Sequence, residues 1–264
     1  MVKRTKESPG APRAGNRISR SIRRGLGKDG HLEAIHKYQI DIPQFTIYLG
    51  ADAPREDDSE GSFGITYKVA DCFEKNLDNL SSKDPRRPIL IKITNYGGYF
   101  EEGHQIIAAM NRCPNPITAE ASKTIASMAG LVALAADRFY MIPPAKFMLH
   151  HGYCDFDGSL DLVQTNFIEL EKAKELHLQL FVARLKEQGK FRDRSEEDVR
   201  AMLLHEMRQK RDVWLDAYEA QEWGICDQGR DRATKRNETR RVGIREVLNM
   251  EITVKIEVVA KKRG

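Results

Sequence analysis

The sequence predicts an α/β domain. Short apolar runs of strand length alternate with longer stretches of helical spacing. Gly and Pro punctuate the joints between them. The chain has 264 residues, 41% of them hydrophobic, enough for one α/β domain with appendages or at most two small domains.

The elements follow in order. Residues 44–50 alternate in polarity and read as a strand. The acidic, turn-rich stretch Ala51–Ser62 is a loop. Between Ile65 and Leu80, apolar residues at Val69, Cys72, Phe73, Leu77 and Leu80 give a helix one buried face. Pro88–Thr94 is a short apolar strand running into the turn Asn95-Tyr96-Gly97-Gly98. A helix spans about Glu101 to Arg112 and is ended by Pro114 and Pro116. Ile117–Ser122 fits another strand. Met128–Ala136 is apolar on all sides, the mark of a buried helix. Phe139–Ile142 and Phe147–His150 are strands around Pro143-Pro144. From Leu160 to Leu185 runs a long amphipathic helix whose apolar stripe holds Leu160, Val163, Phe167, Leu170, Ala173, Leu176 and Leu180. Residues 189–194 break it. Ser195–Glu206 resumes as a helix, with Ser195 and Asp198 at capping spacing. Residues 216–224 form a further short helix, 229–241 a basic linker, and Glu251–Val259 a terminal strand.

Charge separates the arm from the domain. The first 30 residues hold nine Lys/Arg against Glu7 and Asp29. The arm is therefore +7, and the remainder −3, of a net +4. So basic and apolar-poor a segment cannot bury enough surface to compensate its ordering entropy. It reads as a disordered tail, a propeptide or a weak anion-binding arm. The expected divisions are residues 1–35 as arm, 36–228 as the main domain and 229–264 as linker and terminal strand. The four cysteines, Cys72, Cys113, Cys154 and Cys226, lie in no CxxC pair and read as reduced thiols. No His or Cys cluster has zinc-site spacing. No apolar run reaches the roughly 18 residues of a membrane span. A cytoplasmic protein is expected, with no membrane or nucleic-acid partner.

Three segments carry candidate chemistry. Ser127, in Ala126-Ser127-Met128-Ala129-Gly130, stands where the buried helix begins, beside free N–H groups that suit an oxyanion. Alone, it would read as an ordinary N-cap sooner than as a nucleophile. His150 ends an apolar strand, at the edge where α/β sheets bind ligands. Imidazole can act as base and then acid near neutral pH. His151 beside it must point the other way along a pleated strand. Asp212, in Arg211-Asp212-Val213-Trp214-Leu215, offers the carboxylate that a catalytic His needs to fix its tautomer.

Taken together, these segments resemble the Clp protease proteolytic subunit family. The resemblance rests on Gly97-Gly98, Ala126-Ser127-Met128, Arg138-Phe139-Tyr140-Met141-Ile142-Pro143, Met148-Leu149-His150 and Arg211-Asp212…Leu215…Ala217-Tyr218-Glu219-Ala220…Gly224-Ile225…Asp227, in the family's order. It covers about residues 40–228. It implies a crotonase-like ββα-superhelix core with a protruding handle helix, here Leu160–Leu185, that packs two rings of subunits together. It also implies a serine endopeptidase with Ser127 as nucleophile, His150 as general base and acid, and Asp212 as orienting carboxylate. Gly98 and Met128 would supply the oxyanion N–H groups, and the stretch Gly152–Gly158 would border the substrate channel. No metal or organic cofactor is implied. The implied partners are peptide or unfolded-protein substrates, further copies in a homo-oligomeric ring, and a separate AAA+ ATPase, because the chain has no GxxxxGK[ST] loop.

The sequence also departs from the family pattern. Asn95-Tyr96 replaces Ser-Pro before the glycines, and His151-Gly152 replaces Gln-Pro after the histidine. Glu120 and Lys123 stand where small or apolar residues are usual. The interval from His150 to Asp212 is lengthened by a charged insertion. Four alternatives stand beside the ATP-dependent protease: a stand-alone processing protease of the capsid-maturation type, a non-catalytic ring subunit, an acyl-CoA enzyme of the wider superfamily, and a Ser–Lys dyad using Lys123.

Overall fold

The structure, a computed structural model, describes residues 28–50, 64–153 and 157–227. Helix α1 (Lys28–Tyr38) leads into two short strands, β1 (Ile40–Asp41) and β2 (Thr46–Gly50). Helix α2 (Tyr67–Lys83) begins at Thr66, whose hydroxyl accepts the Val69 N–H and satisfies one of the helix's free donors. Strand β3 (Ile89–Asn95) and helix α3 (Phe100–Arg112) follow. Next come β4 (Ile117–Ala126), the short helix α4 (Met128–Leu134), β5 (Arg138–Met141) and β6 (Lys146–Leu149). Helix α5 (Leu160–Glu187) is capped by Ser159, and α6 (Glu196–Lys210) by Ser195. Strand β7 (Val213–Asp216) runs into α7 (Ala217–Trp223), where Asp216 and Glu219 form a reciprocal capping box.

Among the described residues the strands form one sheet in the order β1-β2-β3-β4-β6-β7, with β5 also paired to β4. The β2, β3 and β4 ladder is parallel and β7 runs antiparallel to β6. Parallel strands are covered on both faces, which explains their dense Ile content. Ile89, Ile91 and Ile93 of β3 are all buried. Every residue of α4 is buried, as its all-round apolar character predicts.

Strand β4 changes partner part-way. Thr118–Ala121 pair with β5, whereas Thr124–Ala126 pair with β6. The β3–β4 register shifts between Ile93 and Asn95, where β4 takes up two extra residues. Such an irregularity bends a strand and re-aims its end. It carries the last residues of β4 toward β6, and so carries Ser127 toward His150.

Several expectations change in detail. Helix α1 runs across the boundary expected near residue 35. Strands β1 and β7 were not expected, and β4 continues to Ala126 rather than stopping at Ser122. On α2 the buried residues are Ala70, Phe73, Asn76, Leu77 and Leu80. Cys72 is half-buried, because its side of the helix faces the Tyr38 carbonyl rather than the core. The largest change is in α5. Of its predicted apolar stripe Leu180 is buried, whereas Leu160 and Phe167 are exposed and Leu176 is half-buried. The helix leaves the domain at its N-terminal half and joins the core at Leu178–Leu185. The expected loop Ala51–Ser62, most of the basic arm, the 229–241 linker and the Glu251–Val259 strand lie outside the described residues.

Candidate active site

Register alone brings the chemistry to one edge of the sheet. In the β4–β6 ladder Ala126 pairs with Met148, and the Ser127 N–H bonds the Met148 carbonyl at 2.9 Å. In the antiparallel β6–β7 ladder Leu149 pairs with Val213, so one step further His150 faces Asp212 across the strands. Gly97 follows β3, which lies on the other side of β4. Four neighbouring strands thus deliver Gly97-Gly98, Ser127, His150 and Asp212 to the same place.

The Ser127 hydroxyl lies 2.7 Å from His150 Nε2, and His150 Nδ1 lies 3.4 Å from Asp212 Oδ1. Ser127 has φ 55° and ψ −130°, a conformation rarely held by a side chain other than glycine's. Such a turn at a strand-to-helix junction lifts the hydroxyl clear of the backbone. The histidine is nearly enclosed, its side chain 10% exposed, and the aspartate is more open at 35%. Burial lowers the His150 pKa from its ordinary value, because charging an imidazole largely shielded from water is unfavourable. The Asp212 charge and hydrogen bond push it back up. Neutral imidazole is the form that can take a proton from a serine.

The glycine turn is built by its neighbours. Asn95 is buried; its amide donates to the Gly50 carbonyl at 2.8 Å and its side-chain oxygen accepts the Gly97 N–H at 2.8 Å. These two bonds tie the turn to strand β2. Gly97 has φ 104°, and a Cβ there would meet Ser127 Cβ at 2.7 Å. Gly98 pairs with Ile65 as a parallel bridge made through the Gly97 carbonyl and the Tyr99 N–H. In that pattern the Gly98 N–H points to the opposite side from Ile65. Met128 is the first residue of α4, and its N–H is one of the helix's free N-terminal donors.

A pocket beside Ser127 and His150 is lined by Phe100, Met128, Leu131, Leu149, His177 and Phe181. His177 of α5 pairs with His104 of α3, their Nε2 atoms 3.0 Å apart. Burial, with smaller contributions from His104 and His150, pushes His177 down to about 3. Burial also lowers His104, which Glu101 partly opposes.

All five residues singled out from sequence therefore gather at one edge. His150 is the histidine that meets Ser127. His151 is half-buried; burial lowers its pKa, Lys174, Arg208 and His150 add to the drop, and Glu171 opposes it. Lys123 is exposed in the irregular part of β4, while the Ser127 hydroxyl bonds His150. Sequence reasoning missed Tyr153, whose hydroxyl reaches Asp212, and the His104–His177 pair. Helical spacing could have signalled His104, three residues before the inward Ile107.

Residues 62–231 match the family model described as Clp protease, more than half of the chain. The chain belongs to the Clp protease family. It is 26% identical over 163 residues to the ATP-dependent Clp protease proteolytic subunit 2 of Borreliella burgdorferi, covering 61% of this chain and 76% of that relative. It is 25% identical over 167 residues to the ATP-dependent Clp protease proteolytic subunit 1 of Chlamydia pneumoniae, covering 62% and 81%. The Clp protease match contains Gly98, Ser127, His150 and Asp212, and it begins after β2. Among the described residues, no helix is long and apolar enough to cross a membrane.

Proposed function

We propose that the chain is a serine endopeptidase that cleaves peptide bonds through an acyl-enzyme. The observation that carries this is the continuous chain from Ser127 Oγ through His150 to Asp212, at 2.7 and 3.4 Å. In this mechanism His150 Nε2 takes the Ser127 proton as Oγ attacks the substrate carbonyl carbon. Asp212 holds the imidazole tautomer and stabilises the imidazolium. The Gly98 and Met128 N–H groups receive the carbonyl oxygen as it becomes an oxyanion. His150 then gives the proton to the leaving amine and the peptide C–N bond breaks. Water, deprotonated by the same imidazole, attacks the ester and releases the acid and Ser127.

We further propose that the chain works as the proteolytic subunit of an ATP-dependent Clp-type protease, in a homo-oligomeric ring served by a separate AAA+ ATPase in the cytoplasm. Family membership supports this. So does the N-terminal half of α5, where Leu160, Leu162 and Phe167 are exposed in the single chain. Exposed apolar residues along one projecting helix suit contacts between copies.

Hydrolysis of a short fluorogenic peptide tests the chemistry. Ser127→Ala is expected to abolish turnover while leaving the circular dichroism spectrum and particle size unchanged. Retained turnover in that variant would refute the proposed nucleophile.

A further inference from the structure

We infer that Tyr153 is a positioning residue, holding the Asp212 carboxylate in line with His150 from the solvent side. The inference rests on the reading of Ser127, His150 and Asp212 as the catalytic set.

Two contacts carry it. The Tyr153 hydroxyl donates to Asp212 Oδ1 at 3.4 Å, the same oxygen that faces His150 Nδ1. The Tyr153 ring stands edge-on to the His150 ring, centroids 5.1 Å apart and planes at 73°. One side chain therefore touches both members of the Asp–His pair.

Local backbone explains how it gets there. Gly152 has φ 87°, in the left-handed region, and reverses the chain just after β6. A Cβ at that position would lie 3.2 Å from the Phe100 ring. The reversal folds Tyr153 back over the histidine that precedes it by three residues. The His151-Gly152-Tyr153 segment is also where the sequence leaves the family's Gln-Pro pattern.

Asp212 needs such a partner. It stands at the junction of α6 and β7, after Arg211 in a strained backbone conformation with φ 60°. Its side chain is 35% exposed and sits 3.4 Å from the imidazole, so water competes for it. A second donor on the shared oxygen narrows the carboxylate's orientations without burying it. Tyr153 is itself 77% exposed, so it contributes little to the core, and its effect is on geometry. The charged or titratable groups around His150 are Asp212, which raises its pKa, Tyr153 in ring contact, and His151 and His177, whose pKa values His150 itself lowers.

The experiment is a double-mutant cycle in the full chain, using Tyr153→Phe and Asp212→Asn. Tyr153→Phe keeps the ring and removes the hydroxyl. It is expected to lower kcat about 5–10-fold with KM for a short peptide unchanged. In the Asp212→Asn background it is expected to cost nothing more. Equal losses in both backgrounds, or no loss in either, would overturn the inference. A second readout does not need turnover. The His150 imidazole resonance, assigned by its absence in His150→Ala, is titrated by NMR. Tyr153→Phe is expected to lower its midpoint in the direction that Asp212→Asn does, because Asp212 then supports the imidazolium less well. An unmoved midpoint would overturn the positioning role. A moved midpoint in a protein that hydrolyses no peptide would uphold that role and sink the catalytic reading instead.

Discussion

Two imidazoles line the same pocket and are set to different tasks. His150 faces a serine hydroxyl on one nitrogen and a carboxylate on the other. His177 faces another histidine, at 3.0 Å. Burial lowers both pKa values. At His150 the Asp212 charge opposes the drop, whereas at His177 the neighbouring imidazoles deepen it, to about 3. In the proposed mechanism the first gains and then loses a proton. The second is held neutral across the physiological range and serves as a hydrogen-bonded wall between α3 and α5. Burial is the larger cause at both, and the partner decides whether it is opposed or reinforced.

The sharpest way to break this contrast is to take the carboxylate from His150. Asp212→Asn leaves the shape and removes the charge, so His150 loses its tautomer control and its support for the imidazolium. The expected loss in kcat is on the order of 10³–10⁴-fold, by analogy with serine-protease triads in general. Steady-state hydrolysis of a short peptide measures it, and a loss below about tenfold would mean that Asp212 does not play this part.

A smaller effect comes from the other imidazole. The folded pKa of His177, about 3, lies below the ordinary value of 6.5. The unfolded chain therefore binds more protons between those two values, and folded stability declines as pH falls through that window. Above about 6.5 both states are neutral and the slope vanishes. His177→Phe removes the titrating group and keeps an aromatic ring beside Phe100. Thermal melts from pH 7 down to pH 4 are expected to show a shallower decline in Tm for the variant. An identical slope would assign the acid sensitivity to other groups.

The same contrast shows what a sequence can reveal. Ser127, His150 and Asp212 were legible because each stands in a local run with its own signature, and because their order matched a family pattern. Their convergence depends on the partner switch in β4 and on the Leu149–Val213 register, which are long-range pairings that no local pattern encodes. Tyr153 escaped notice for that reason: its partner is 59 residues away. The Asn95-Tyr96 departure shows no such partner in sequence, yet the Asn95 side chain ties the turn to Gly50, on the neighbouring strand, and to Gly97. The α5 stripe teaches a different point. Periodicity reveals which side of a helix is apolar but not what covers it. Leu160 and Phe167 follow the predicted spacing and still face outward, while Leu178, Phe181 and Leu185 reach the core.

The central claim is that His150 activates Ser127. Labelling the assembled protein with a fluorophosphonate probe, followed by peptide mass mapping, tests it most directly. The account predicts modification at Ser127 in the wild-type chain, and its loss in a folded His150→Ala variant. Labelling that persists at Ser127 without His150, or that falls on another residue, would contradict it.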